Sequence, residues 1–418
     1  MRVPSEKIHH FLSLLLAFCI PLERRIAPIL IALLVLNWII QWNWKEKISN
    51  LKAHSLALLP GALYILYCVG MLYSENTAFG LRDLETKMAL LALPLVFACQ
   101  ASIEKKVTDK LMFSFIAGNI LAMLICLAQS AYIYFDEMYL ISSGQLNNVA
   151  ASPKYFFSSY LSYFVHPSYF AMYLCLCVVF LFSKWSDRTD PLPEKQKILT
   201  VLLAVAVSVF IFLLASRMGI IVLSIIWLGG IVYLLLIKKY YRAGLISIGI
   251  LLASALILYK SSAIIASRVD AAAHTMFNKH IDKTSTESSE ARALIWEQAV
   301  TLLKENIPFG SGTGDVKDVL LKKYQEQGMT GAYEHRLNAH NQFLQTGIAL
   351  GIPGLIVIIG MLLLPLFQRR NRFILFIVFT GIIILNFTVE SMLEIQAGVI
   401  FYSYFSALLL TFKPDSHL

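Results

Sequence analysis

The sequence is poor in charge: Asp, Glu, Lys and Arg make up 15% of its 418 residues, against about 25% in an ordinary soluble domain. Its apolar share is correspondingly high, at 58%. The apolar residues stand in solid runs between short basic patches, not in the alternating pattern that a β-barrel needs. These features exclude a soluble enzyme, a disordered chain and a β-barrel, and they predict an all-α polytopic membrane protein.

The signatures of metal and nucleotide chemistry are also missing. All six cysteines fall inside apolar runs, where they act as small packing residues and not as disulfide partners. No group of His, Cys and Asp has zinc or iron spacing, and neither a P-loop nor a dinucleotide fingerprint is present. We therefore expect no metal and no cofactor.

The apolar runs give the predicted membrane topology. A hydrocarbon core of about 30 Å needs about 20 apolar residues per helix. About twelve candidate spans follow, at 8–22, 26–42, 55–73, 88–101, 109–134, 166–183, 197–215, 217–237, 243–260, 341–367, 373–390 and 396–412. The predicted organisation is nine spans in 1–260, a large polar helical loop at 261–340 and three spans in 341–418.

Basic residues set the predicted orientation. With a cytoplasmic N-terminus, most Lys and Arg residues of the short loops fall on the cytoplasmic side, as the positive-inside rule requires. The loop at 261–340 is then extracytoplasmic. The net charge of +9 lies mainly on the cytoplasmic face, where anionic membrane lipid attracts it, so no nucleic-acid partner is expected.

The large loop contains a helix-forming segment followed by a glycine-rich one. Apolar residues recur at helical spacing over 285–306, and a second helix is predicted at 315–327. Between them lie Gly310, Gly312 and Gly314. These glycines form either a turn between helices or a nest of backbone amides that cradles a phosphate.

Two arginines are candidate phosphate ligands. Arg217 stands between two apolar spans, at the extracytoplasmic boundary of the membrane. Its side chain either extends to the membrane surface as an anchor or faces a cavity in the helix bundle. Arg292 lies on the first predicted loop helix, one turn before Trp296. It either pairs with Glu287 or Glu290 at the surface or reaches inward, and two guanidinium forks suit a pyrophosphate.

A histidine stands where the large loop re-enters the membrane, on the same side as Arg217. His340 is either a structural hydrogen-bonding group or a general base that takes a proton from a hydroxyl. Asn341 would orient it or bind a sugar. His166 and several tyrosines flank the other sizeable outer segment, 135–165, as an interfacial belt or as a sugar-binding surface.

Taken together, these motifs resemble the O-antigen ligase and polymerase superfamily of bacterial envelope enzymes. The resemblance rests on Ser216-Arg217-x-Gly219, on Arg292-x-x-x-Trp296 running into Gly310-x-Gly312-x-Gly314, and on His340-Asn341-x-x-Leu344 with Gly351 and Gly354. It implies an inner-membrane glycosyltransferase of lipopolysaccharide biosynthesis with a periplasmic active site. Such an enzyme moves a glycan from undecaprenyl pyrophosphate to a lipid A–core acceptor, without a metal.

The resemblance also implies residue roles. Arg217 and Arg292 would bind the pyrophosphate and stabilise it as leaving group, and His340 would activate or orient the acceptor. We count Asn341, Gly312, Gly314 and His166 as further substrate-binding candidates. Many relatives carry an acidic residue where this chain has Ala349, and Glu390 or Glu394 is a candidate substitute.

Several alternatives remain open at the level of sequence. An O-antigen polymerase uses the same donor, but it tends to divide its arginines between two outer loops, and 135–165 contains Lys154 and no arginine. A protein O-glycosylating relative is a further possibility within the superfamily. The other two alternatives are a transporter of a lipid-linked oligosaccharide and a non-catalytic envelope assembly protein.

Overall fold

The computed structural model describes residues 2–23, 25–143, 153–187, 190–237, 289–367 and 374–412, together with Gly249 and Thr284. These residues form helices and no β-strand, and one isolated bridge joins Ile103 to Phe412. The predicted all-α class is confirmed for this part of the chain. The predicted ninth span (243–260) and the first part of the large loop (261–288) lie outside the described residues, apart from Gly249 and Thr284 themselves.

The α-helices of the described residues are numbered here in chain order. The first nine are α1 (Arg2–Cys19), α2 (Ile26–Ile40), α3 (Trp44–Ala53), α4 (Leu59–Gly70), α5 (Thr77–Lys87), α6 (Ala89–Ala98), α7 (Lys105–Ser142), α8 (Ser158–Leu161) and α9 (Pro167–Trp185). The others are α10 (Glu194–Leu213), α11 (Arg217–Val232), α12 (Ser289–Glu305), α13 (Val316–Glu326), α14 (Thr330–Glu334), α15 (Gln342–Phe367), α16 (Ile374–Phe387) and α17 (Gln396–Leu410).

Several of these helices are long and apolar enough to cross a membrane. Among the described residues they are Ser55–Tyr73, which contains α4, and α7, α9, α10 and α15. A sixth span is reached if α2 and α3 form one span broken by a bend of 120°. The helices α11, α16 and α17 are apolar but shorter. The chain is a multi-pass helical membrane protein, and the count of twelve spans stays a prediction.

Helix α9 occupies the centre of the bundle. Most of its residues are buried, and it packs against α7, α10, α11 and α16. A helix that is apolar on all sides is expected to sit inside such a bundle. The residues just before α9 are therefore held at a fixed place on one end of the bundle.

Helices α9 and α11 run side by side in the same direction. Near their starts, a Cβ at Gly219 would collide with the Cβ of Ala171, and near their ends Gly230 packs on the ring of Phe182. The first contact needs a glycine because the two helices approach too closely for any side chain there. Both helices begin at the same end of the bundle, and we call this end the 'site end'.

Helix α15 is broken inside the span. Gly351 has a left-handed backbone (φ 62°), and the turn after α12 fills the break. The amide of Ile352 donates to the Pro308 carbonyl oxygen at 2.9 Å, and a Cβ at Gly351 would collide with the same oxygen. The loop helices are thus fixed to the membrane bundle through this break.

The helices predicted in the large loop are present. The structure has α12 at Ser289–Glu305 and α13 at Val316–Glu326, against predicted ranges of 285–306 and 315–327. The inner face of α12 buries Ala291, Ile295, Ala299 and Leu302, and α12 packs on the start of α15. Burial of this apolar stripe places Arg292 next to the segment that carries His340.

Candidate functional site

His340 lies in the connection before α15 and has an unusual backbone. Its φ is 44°, in the left-handed region that non-glycine residues adopt rarely. The strained conformation is held from both sides, since its amide donates to Asn338 Oδ1 at 2.9 Å and its carbonyl accepts from Trp296 Nε1 at 3.2 Å. Strain that the surroundings maintain in this way is found preferentially at functional positions.

Glu390 bridges Arg292 and His340. Its Oε1 accepts a hydrogen bond from Arg292 Nη2 at 2.8 Å, and its Oε2 lies 3.4 Å from His340 Nδ1. The Glu390 side chain is 14% exposed, and those of His340 and Arg292 are 19% and 28% exposed. Arginine, glutamate and histidine therefore form one partly buried array that joins α12, the start of α15 and the end of α16.

The electrostatics of the array favour an ionised carboxylate. Burial alone raises the pKa of Glu390. The hydrogen bond with His340 and the electrostatic effects of Arg292, His340 and His166 outweigh that effect, so the pKa lies below its ordinary value. A carboxylate facing Nδ1 favours the tautomer with the proton on Nδ1, which leaves Nε2 as the basic nitrogen. His340 Nε2 is buried and has no hydrogen-bond partner among the described residues.

Asn341 fixes the segment that carries Glu390. Its Oδ1 accepts from the amide of Leu344 and caps α15, at 3.0 Å. Its Nδ2 donates to the Thr388 carbonyl at 3.1 Å, and its amide donates to Ser391 Oγ at 3.2 Å. These contacts give Asn341 a positioning role in the structure. Sugar binding by Asn341 stays a prediction.

His166 and Arg217 lie at the site end of the bundle. His166 is the residue before α9, and its Nδ1 accepts from the amide of Ser168 at 3.4 Å. Its electrostatic effect lowers the pKa of Glu390. Arg217 is the exposed first residue of α11 and follows the capping Ser216. Because α9 and α11 run parallel from their starts, Arg217 belongs to the same end as His166.

The glycine-rich segment packs against the break in α15. The amide of Ser311 donates to the Ile348 carbonyl at 2.7 Å and that of Gly312 to the Ala349 carbonyl at 3.0 Å. The amide of Gly314 donates to Ser74 Oγ at 2.9 Å. Because these amides already have protein partners, the arrangement fits the packing interpretation of the glycines. Phosphate binding at Gly312 and Gly314 stays an untested prediction.

The structure gives contacts at two points where the sequence left alternatives open. Arg292 pairs with Glu390, a carboxylate in a distant part of the chain. The predicted alternatives Glu287 and the side chain of Glu290 lie outside the described part of the chain. Of the two candidate carboxylates in the segment between α16 and α17, Glu390 faces His340 and Glu394 pairs with Lys87. The described residues contain no group of three or more His, Cys, Asp or Glu that could hold a metal ion.

This geometry can support one type of chemistry in particular. A basic nitrogen with a carboxylate behind it can take a proton from a hydroxyl. An arginine within the same array and a second one at the same end can neutralise an anion. Together they suit the transfer of a group from an anionic leaving group to a hydroxyl.

The chain shows similarity to one protein family over its middle part. Residues 201–359 match the family model described as O-Antigen ligase. The matched range includes Arg217, Arg292 and His340 and ends before Glu390. The match confirms the resemblance to the O-antigen ligase superfamily that the sequence motifs predicted.

A curated relative matches a shorter stretch. It is an uncharacterized protein of Haemophilus influenzae (strain ATCC 51907 / DSM 11121 / KW20 / Rd), 30% identical over 142 residues. The match covers 31% of this chain and 35% of that protein. The chain therefore spans about a third of the length of the relative it matches, and the relative's description assigns no activity.

Proposed function

We propose that the protein is a glycosyltransferase of the O-antigen ligase type in the bacterial inner membrane. Its donor is a glycan linked to undecaprenyl pyrophosphate, and its acceptor is a hydroxyl of lipid A–core at the periplasmic face. One observation carries the proposal: Glu390 holds His340 and Arg292 in one array, and the Nε2 atom of that histidine has no hydrogen-bond partner among the residues that the structure describes.

His340 acts as the general base in this reaction. Its Nε2 takes the proton of the acceptor hydroxyl while the hydroxyl oxygen attacks the anomeric carbon of the glycan. The glycosidic bond to the pyrophosphate breaks in the same step, and undecaprenyl pyrophosphate leaves. Glu390 keeps the imidazole oriented and stabilises the imidazolium that forms, in the manner of the carboxylate in a catalytic triad.

Arg217 and Arg292 bind the pyrophosphate. Negative charge grows on the leaving oxygen as the bond breaks, and fixed cations at that point lower the barrier. Glu390 accepts from one nitrogen of Arg292, and a guanidinium carries five N–H donors, so further donors remain to contact a phosphate oxygen. The position of Arg217 at the first turn of α11 suits a headgroup that enters from the membrane surface.

The proposal is tested by glycan transfer in cells that lack their own ligase. Wild type, Arg217→Ala, Arg292→Ala and His340→Ala are compared at matched membrane levels. Lipopolysaccharide ladders are read on a gel, and lipid-linked glycan is measured in the same cells. We expect ladders with wild type, and loss of ladders with accumulation of polymerised lipid-linked glycan for each variant.

Other outcomes identify the alternative functions. Shorter chains with transfer of single units preserved would identify a polymerase. Accumulation of lipid-linked glycan on the cytoplasmic side would identify a transporter. Variants as active as wild type would contradict the catalytic assignment and leave a scaffold protein.

A further inference from the structure

A second charged cluster lies beside the site and has no role in the chemistry above. Lys87, the last residue of α5, is completely buried and contacts the carboxylates of Asp83 and Glu394, the latter at 2.9 Å. Its ammonium also lies 4.7 Å from the ring centre of Tyr67. A charged lysine that is buried in this way needs ion-pair partners to offset the loss of hydration. The two carboxylates are therefore required for the burial of Lys87.

The acidic groups of the cluster stabilise the charged form of Lys87. Burial lowers the pKa of Lys87, but the negative charges of Asp83 and Glu394 outweigh it and raise that pKa above its ordinary value. Burial raises the pKa of Asp83 to about 7. Lys87 is thus a permanent cation, and Glu394 is its partner from a distant part of the chain.

Glu394 belongs to the same short segment as Glu390. This segment, 388–395, connects α16 to α17, and we call it the outer loop. Glu390 contacts Arg292 and His340 near its start, and Glu394 contacts Lys87 near its end. The position of Glu390 is therefore set at one end by the site itself and at the other by the Lys87 cluster.

A buried hydrogen-bond network also links the outer loop to the surroundings of Lys87. Gln342 Oε1 accepts from the amide of Leu393 at 2.6 Å, and Gln342 Nε2 donates to Thr346 Oγ1 at 3.1 Å. Thr346 Oγ1 in turn lies 3.2 Å from the hydroxyl of Tyr67, whose ring faces Lys87. Satisfied polar networks in a low-dielectric interior are rigid, so the network gives the outer loop one conformation.

We propose that Lys87 is a positioning residue for glycan transfer: by anchoring Glu394 it fixes the outer loop, and through the loop it keeps Glu390 on His340 and Arg292. The inference rests on the proposed function only in its prediction that glycan transfer slows when Lys87 is replaced. The anchoring itself is a property of the structure, and it can be measured without substrate.

The opposite end of the bundle offers a matched control. Lys184 is also buried, and it pairs with Asp109 at 3.0 Å where α9 ends and α7 begins. Replacing Lys184 by methionine removes a buried ion pair from the same bundle, far from the outer loop. Lys87→Met and Lys184→Met thus share the general cost of losing a buried cation.

The test uses the full-length protein in nanodiscs with undecaprenyl-pyrophosphate glycan and lipid A–core. For Lys87→Met we expect kcat to fall at least tenfold. KM for the donor should rise by a smaller factor, because Arg292 loses an orienting contact while Arg217 lies outside the outer loop. Lys87→Arg should recover most of the loss, and Lys184→Met should stay within about threefold of wild type. In a Glu390→Gln background, Lys87→Met should add little, since both changes act through one contact.

Hydrogen exchange of the outer loop provides the readout that needs no substrate. The Leu393 amide should exchange at least tenfold faster in Lys87→Met and at the wild-type rate in Lys184→Met. If Lys87→Met does not accumulate, Glu394→Leu cuts the same link while leaving Lys87 paired with Asp83. Equal effects of Lys87→Met and Lys184→Met, or losses that multiply with Glu390→Gln, would overturn the inference. A wild type without transfer but with faster exchange in Lys87→Met would overturn the proposed function alone.

Discussion

Arg292 and Glu390 lie 98 positions apart in the chain, yet Arg292 Nη2 donates to Glu390 Oε1 at 2.8 Å. The contact joins the loop helix α12 to the segment after α16, and the other oxygen of the same carboxylate faces His340. A candidate phosphate ligand and a candidate base are thereby held by one acid. The array becomes complete only when three distant parts of the chain have packed together.

The first prediction concerns the charge of that acid. Glu390→Gln keeps the size of the side chain but removes the negative charge that orients and stabilises His340. We expect the turnover number for glycan transfer to fall about tenfold to a thousandfold, as when the carboxylate behind a catalytic base is lost. Glu390→Asp, which keeps the charge at a shorter reach, should retain more activity than Glu390→Gln. Equal loss in the two variants would argue that size and not charge matters at this position.

The second prediction concerns pH and stability. The pKa of Glu390 lies below its ordinary value of 4.5 in the folded protein, because its contacts with His340 and Arg292 outweigh the effect of burial. A lowered folded pKa contributes stability that is present above the unfolded pKa and is lost as pH falls through the folded pKa. Thermal unfolding in detergent should therefore show wild type above Glu390→Gln at pH 7, with the difference shrinking below about pH 4.5. A difference that grows on acidification would contradict this assignment.

The third prediction concerns Asn341. Asn341→Ala removes the cap of α15 and the bond to the Thr388 carbonyl, each worth about 1 kcal/mol. We expect a loss of about 2 kcal/mol in the free energy of unfolding, measured with a mild denaturant. Asn341→Ser restores the capping oxygen and should recover about half of the loss. Full recovery by serine would show that the Thr388 contact contributes nothing.

The fourth prediction concerns the approach of α9 and α11. A Cβ at Gly219 would collide with Ala171, whereas a Cβ at Gly229 on the same helix would meet nothing within 4 Å. Both substitutions to alanine favour the helix by up to about 1 kcal/mol. Gly219→Ala should nevertheless lower the unfolding temperature and glycan transfer, because it pushes apart the helix starts that carry His166 and Arg217. Gly229→Ala should leave both at or above wild type, and equal behaviour of the two would refute the close packing.

Periodicity and composition predicted the helical class and the two loop helices, because both depend on local spacing. They did not predict which acid pairs with Arg292. The nearest candidates along the chain were Glu287 and Glu290, and a partner 98 positions away has no local signal. The glycine-rich segment shows the same limit. Its amides bond to Ile348 and Ala349, whose carbonyls accept them only because α15 breaks at Gly351.

The most direct measurement separates donor binding from chemistry. Purified wild type, Arg217→Ala and His340→Ala are given labelled undecaprenyl-pyrophosphate glycan, and binding and single-turnover transfer to lipid A–core are measured in the same samples. We expect Arg217→Ala to bind the donor at least tenfold more weakly. His340→Ala should bind it within about threefold of wild type and transfer it about a hundredfold more slowly or worse, as the loss of a general base requires. Transfer by His340→Ala at the wild-type rate would contradict the central claim.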